Sequence, residues 1–323
     1  MNKKFLYTIG ALLTLITIAN NPADAIVTIA QTNEPIKVST EVSELNADEE
    51  KAIKKFNLKE KLQRAPETQI RNFYKKFNKY SEKNKVEKLK TLYSDTYINN
   101  DGIDKATIFN MMNEASSAYQ NVNYETEIKE IKVDGNYARV EAVEIATGET
   151  TKSYPNLQGI GSIDSKILYT DYLKKEAGKW KIISTDIREE DVALKYGRAK
   201  LMTTEVTGPS CVPAGSEYDV SVKINTTSED FVVGSITNEK IKYPQEQPKD
   251  VLKTMKYDEI SRILKANTDG YNEYATISLA ISQAEVEPEA IVINMQGIAI
   301  LMHRVNIATI KKEQKQENKE IKE

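Results

Sequence analysis

The hydrophobic period of this chain changes near residue 120, and that change limits the folds open to it. Before residue 120, apolar side chains recur every three or four residues, as expected for one face of a helix; the clearest run is Ile70, Phe73, Tyr74 and Phe77. After residue 120, apolar and polar residues alternate between turn dipeptides, which is typical of antiparallel strands. The pattern therefore predicts helices first and a sheet second.

Three helices are predicted before the change. The first covers PETQIRNFYKKFNKYSEKN, with Pro66 in its first turn, and the second lies in KVEKLKTLYSDTY. The third lies in DKATIFNMMNEASSAYQ, where Asp104 is the predicted N-cap. Upstream, residues 26–65 are polar with sparse apolar points, so they are interpreted as a flexible spacer with a possible helix.

Two hairpins are predicted after the change. Asp134-Gly135 is a turn dipeptide, and KEAG separates the strands KILYTDYLK and KWKIISTDI. Trp180, the chain's one tryptophan, is expected to anchor the sheet against the helices. Strict alternation would place Ser184 and Asp186 on the face of Trp180. Asp171 alternates with Tyr172, and a catalytic pair of Asp171 and Asp186 is not expected.

The remainder of the chain is predicted to form short strands. Residues 199–312 contain alternating runs broken by turn residues, which predict an all-β sandwich domain. The stretch PAGSEYDVSVKI resembles bacterial immunoglobulin-like modules in architecture only. Residues 313–323 are charged and are predicted to be disordered.

The LYSDTY stretch and the LKKEAGKWKI hairpin carry a family resemblance. Residues 66–198 resemble the nuclear transport factor 2-like (NTF2-like) superfamily, particularly its SnoaL-like and ketosteroid-isomerase-like members. The resemblance implies an α+β fold, in which a curved antiparallel sheet wraps three helices as a cone with a pocket at its open end. It also implies homodimers formed through the outer sheet surface. Many members carry histidine in the pocket, but this segment has none.

The candidate pocket follows from that implied cone. Its predicted lining is Tyr74, Tyr93, Tyr97, Tyr119, Trp180, Ser184 and Asp186. Asp186 is the weak candidate for a general base, because burial of a carboxylate raises its pKa. The alternative is that Asp186 caps a following helix or meets water at the end of its strand.

Composition limits the chemistry further. One His and one Cys leave no His/Cys metal set, and no cofactor motif is found. The 45 basic and 48 acidic residues are interspersed, which argues against a nucleic-acid surface. Cys211 could be an exposed thiol or a buried one.

The start of the chain predicts export. MNKKFLYTIGALLTLITIANNPADA has two lysines, an apolar run and a small-residue end, which together indicate a signal peptide over residues 1–25. No later segment is apolar enough to span a membrane. The protein is therefore expected in the periplasm, on the cell surface or secreted.

Two functions remain open from the sequence. The favoured hypothesis is a non-catalytic binding protein of the bacterial envelope, with a small apolar ligand or an envelope protein as partner. The alternative is an isomerase or lyase that uses Asp186 as its base. A fold of this kind hosts both classes, so residues at the site must decide.

Overall fold

The computed structural model describes residues 47–245, 253–255, 258–287 and 290–309. The predicted signal peptide, the first part of the spacer and the charged tail lie outside the described residues. Within the described part of the chain, no helix is long and apolar enough to cross a membrane.

The described residues contain three α-helices, as predicted. They are α1 (Ala47–Glu82), α2 (Val86–Lys90) and α3 (Lys105–Ala118). The prediction that Pro66 lies in a first turn was wrong, because α1 starts 19 residues earlier and runs through it. The flanking residues are mostly strong helix formers, which outweigh the one backbone hydrogen bond that proline cannot donate.

The helix faces are those that the pattern indicated. The α1 stripe is buried, with Ile70 and Phe77 at most 2% exposed. Asp104 caps α3 by accepting a hydrogen bond from the Thr107 backbone N–H at 2.8 Å. This bond holds the pKa of Asp104 below its usual value.

Four long antiparallel strands follow the helices. They are β1 (Tyr119–Asp134), β2 (Tyr137–Ser153), β3 (Ile160–Glu176) and β4 (Lys179–Gly197). Both predicted turns are confirmed: Gly135 and Gly178 have φ of 56° and 77°, the left-handed region that glycine tolerates best.

Eight further strands lie in the remaining described residues. They are β5 (Thr204–Thr207), β6 (Cys211–Pro213), β7 (Glu217–Ile224), β8 (Asp230–Lys240), β9 (Lys253–Thr254), β10 (Glu259–Lys265), β11 (Glu273–Glu287) and β12 (Ala290–Ala308). Strands β10, β7 and β5 form a small sheet that shares one hydrophobic core with β8, β11 and β12. The packing of two sheets on one core is that of a β-sandwich.

The main sheet runs through both halves of the chain. Its order is β1-β2-β3-β4-β12-β11-β8-β9, with β6 also paired to β12. The β4–β12 pairing joins Asp191–Gly197 to Gly297–His303. The protein is thus α+β and dominated by antiparallel sheet, while the predicted layout of a separate cone and a separate sandwich is not confirmed. Pairing with β12 covers an edge of β4 that would otherwise be open.

Because β12 is shared, its two faces belong to different cores. Leu301 and Val305 face the sandwich core. Ile300 and Met302 instead pack with Val192, Leu194 and Tyr196 of β4 in a core beneath the end of α3.

Candidate functional site

The interior between the helices and the sheet is filled by aromatic side chains. Tyr74, Tyr93, Tyr97 and Trp180, all predicted to line a pocket, are each at most 6% exposed and belong to one hydrophobic core. The Tyr93 ring lies 4.9 Å from that of Tyr97, nearly perpendicular to it. The expectation that Trp180 anchors the sheet against the helices is confirmed.

The alternation that placed Asp186 and Ser184 beside Trp180 does not hold. Leu173 pairs with Ile182 and Tyr172 pairs with Ser184, so Ile183 is an extra residue in β4. Such a β-bulge reverses which residues face inward from that point. Asp186 is accordingly half-exposed, and Ser184 donates a hydrogen bond to the Ile98 carbonyl at 2.7 Å.

Asp171 takes the inward position instead. Its side chain is buried, at 4% exposure, and Oδ1 accepts from Thr185 Oγ1 at 2.6 Å. Oδ2 accepts from the Tyr74 hydroxyl at 2.7 Å. Burial raises the pKa of Asp171 to about 6, although both hydrogen bonds act to lower it. Each oxygen of Asp171 thus accepts one hydrogen bond from inside the core, and the side chain has little access to solvent.

A second buried carboxyl, Glu144 of β2, was not predicted from the sequence. It is 1% exposed, and Oε1 has no hydrogen-bond partner among the described residues. Burial holds the pKa of Glu144 well above its usual value. Glu144 alternates in register with the buried residues Val140, Ala142 and Ala146 of the same strand, and this period of two was a signal for its burial.

An open cavity lies beside this filled interior. It is bounded by the end of α1, by α2, by the second half of α3 and by the start of β1, with a volume of about 240 Å³. Its apolar lining residues are Val86, Leu89, Met112, Ala115, Tyr119, Val122 and Tyr124. Of the predicted pocket residues, Tyr119 lines this cavity, whereas Tyr74, Tyr93 and Tyr97 lie in the adjoining core.

A buried charge cluster joins the two halves of the chain. Arg304 of β12 is fully buried and donates to both carboxylate oxygens of Asp101, at 2.5 and 3.1 Å. Glu190 of β4 accepts from the Tyr274 hydroxyl at 2.7 Å and lies 3.6 Å from Arg304 Nη1. Burial raises the pKa of Glu190 to about 7, and Arg304 only partly offsets that effect.

On the opposite face of the same strand pair lies the single histidine. His303 Nδ1 is 2.7 Å from Asp191 Oδ1, and Nε2 is 3.3 Å from the Pro209 carbonyl. Burial acts to lower the pKa of His303, but the two acceptors prevail and raise it. Cys211 is exposed, which settles the alternative left open by the sequence.

The described residues contain no cluster of three or more His, Cys, Asp or Glu side chains that could hold a metal ion. The Arg304 cluster has two carboxylates, and an arginine already occupies the space between them.

Part of this chain is similar to the solved structures of other proteins. The hexachlorocyclohexane dehydrochlorinase LinA-type3 from Novosphingobium barchaimii is 15% identical, over 39% of this chain and 87% of its own, with a TM-score of 0.33. A type 2 hexachlorocyclohexane dehydrochlorinase is 14% identical, over 39% of this chain and 85% of its own, with a TM-score of 0.33. An NTF2-like protein from Cytophaga hutchinsonii is 21% identical, over 36% of this chain and 93% of its own, with a TM-score of 0.29.

Each of these solved structures aligns with less than two-fifths of this chain, at a TM-score of 0.33 or below. No protein-family model matches the sequence, and no curated protein matches it.

The buried groups predict an unusual pH dependence of stability. Asp171, Glu144, Glu190 and His303 all have a pKa raised above the unfolded value, so at these four side chains the folded state binds more protons than the unfolded state. Their contribution is complete below the unfolded pKa values and is lost as pH rises through the folded ones. For Asp171 the loss is on the order of 3 kcal/mol, between its usual pKa of 3.8 and about 6.

We therefore expect the free energy of unfolding to fall as pH is raised from 5 to 8, which urea titrations at each pH would measure. Asp171→Asn should flatten the part of this decline below about pH 6. Asp186→Asn, at a half-exposed position on the neighbouring strand, is the matched control. Stability that is constant or rises over this range would contradict the assignment of buried, protonated carboxyls.

Proposed function

We propose that this chain is an exported, non-catalytic binding protein of the bacterial cell envelope, which holds a small apolar ligand in the cavity beside α3. One contrast carries the proposal. The interior in which the pocket was expected is packed with aromatic rings, and its inward aspartate, Asp171, accepts hydrogen bonds from Tyr74 and Thr185. The neighbouring cavity is open, and its lining combines apolar side chains with polar ones that could orient a small molecule.

The cavity can be tested by filling it. Ala115 of α3 lines it, whereas Ala106 on the same helix is exposed. Native mass spectrometry of the protein from Ile26 should show a bound small molecule in the wild type and in Ala106→Phe, but not in Ala115→Phe. Equal occupancy in both variants would place the ligand elsewhere. A ligand-free mass in all three would count against a tightly held ligand and favour a protein partner.

The alternative function is an isomerase or lyase. The hypothesis drawn from the sequence needs Asp186 as the base, and that side chain is half-exposed on the other side of β4. Asp171 has a raised pKa suitable for a base, but its side chain is buried and already accepts hydrogen bonds from Tyr74 and Thr185. An activity abolished by Asp171→Asn and retained by Asp186→Asn would favour the enzyme.

Export, a homodimer and an envelope partner belong to the same proposal. The outer face of the sheet supports an interface, because Tyr137, Ile145 and Tyr172 are 52%, 43% and 40% exposed on it. Light scattering at micromolar concentration distinguishes a homodimer from an envelope partner on this face. A dimer would support self-association, and a monomer would count against it and favour another protein as the partner.

A further inference from the structure

We infer that the cavity selects a neutral ligand with an apolar body and a hydrogen-bond acceptor, which the hydroxyls of Tyr119 and Tyr124 bind. The inference rests on the proposed function, and it adds a chemical class to the ligand. It concerns side chains at the start of β1, apart from the Tyr74–Asp171 pair in the filled interior.

The two hydroxyls have unused hydrogen-bonding capacity. Both side chains line the cavity, and Tyr119 is only 7% exposed. Neither hydroxyl is hydrogen-bonded to any described residue, and neither is among the unpaired polar atoms that are sealed from solvent. A half-buried hydroxyl normally finds a partner. An acceptor on a ligand would supply one at the site.

Both phenols act as donors. Burial raises the pKa of Tyr119 and of Tyr124 far above neutral pH, so each keeps its proton. The nearby Glu144 carboxyl adds to the effect at Tyr124. A protonated phenol donates best to a carbonyl or similar oxygen.

The charges around the cavity argue against an anion. Among its described lining residues there is no Lys or Arg, and the one charged side chain is Glu82, which is exposed at the rim. An anion would therefore lose water without gaining a counter-charge, which is costly. The volume of about 240 Å³ is below that of most drug-sized sites, which favours a ligand of one or two rings.

Three isosteric probes separate these properties. 2-Naphthamide is neutral with a carbonyl acceptor, 2-naphthoate has the same shape with a negative charge, and 2-isopropenylnaphthalene has the shape without polar atoms. Ligand-observed NMR titration of the full-length mature protein should give 2-naphthamide about fivefold tighter binding than the hydrocarbon. 2-Naphthoate should bind at least tenfold more weakly than the amide, a bound of about 1.4 kcal/mol.

Conservative variants identify the donors. Tyr119→Phe and Tyr124→Phe should each weaken 2-naphthamide about fivefold and leave the hydrocarbon unchanged, because only a hydroxyl is removed. Tyr137→Phe, at an exposed position on the outer sheet face, is the control and should change neither affinity. Retained hydrocarbon binding also shows that a variant is folded.

Each failure has a distinct signature. If the hydrocarbon or the carboxylate binds as tightly as the amide, or if both Phe variants match the wild type, the inferred ligand class is wrong while the cavity still binds. If none of the three probes binds, or if Ala115→Phe leaves their binding intact, the proposed site is itself wrong.

Discussion

Replacing Arg304 with Met should lower the free energy of unfolding at pH 7 by about 3–5 kcal/mol. The guanidinium is fully buried and binds both oxygens of Asp101, whose side chain is also fully buried. Met fills a similar volume but leaves that carboxylate without a counter-charge, and Glu190 loses its partial compensation. Urea-induced unfolding followed by the fluorescence of Trp180 would measure the loss.

Two further variants make this prediction specific. Arg71→Met removes an exposed arginine from α1 and should change stability by no more than about 0.5 kcal/mol. The double variant Arg304→Met/Asp101→Asn should recover part of the loss, because it also removes the unpaired charge. A cost below about 1 kcal/mol for Arg304→Met would mean that the buried cluster does not stabilise the junction.

A fragment that ends at residue 203 should fail to fold, although it contains the whole segment predicted to be an independent domain. It lacks β12, so Val192, Leu194 and Tyr196 of β4 lose the strand against which they pack. Burial of each such side chain stabilises by about 1.5–3 kcal/mol, and together they rival the net stability of a domain. The fragment also lacks Arg304, which leaves Asp101 and Glu190 unpaired.

Circular dichroism and denaturant titration of the fragment would test this prediction. A chain that ends at residue 309 is the control, since it keeps every strand among the described residues, and both it and the full-length protein are expected to unfold cooperatively. A cooperative transition with near-ultraviolet signal from Trp180 in the shorter fragment would show instead that the first half folds independently.

The helices and turns could be predicted because their signals are local. A stripe such as Ile70 to Phe77 lies within two helical turns, and the turns at Gly135 and Gly178 depend on backbone freedom at one residue. Trp180 could be assigned to the core because a large aromatic side chain on a strand has few other stable places.

The site could not be predicted in the same way, because small irregularities decide it. Ile183 and Arg188 are extra residues in β4, and each reverses which side chains face inward. Nothing in KWKIISTDIREED distinguishes a bulged strand from a regular one, so strict alternation selected Asp186 over Asp171. The open cavity likewise depends on how the ends of α1 and α3 meet β1.

The buried Arg304–Asp101 pair shows most clearly what the sequence could and could not predict. Arg304 stands in the apolar run AILMHRVNI, and a charge in such a strand does indicate a buried partner. Its partner, Asp101, is 203 residues away, and no periodicity or spacing relates the two. The sequence by itself determined the helices, the turns and the aromatic anchor, because their energies arise between near neighbours. Only the tertiary structure decided which carboxylates are buried and which strand completes the sheet, because those contacts join residues that are far apart in the chain.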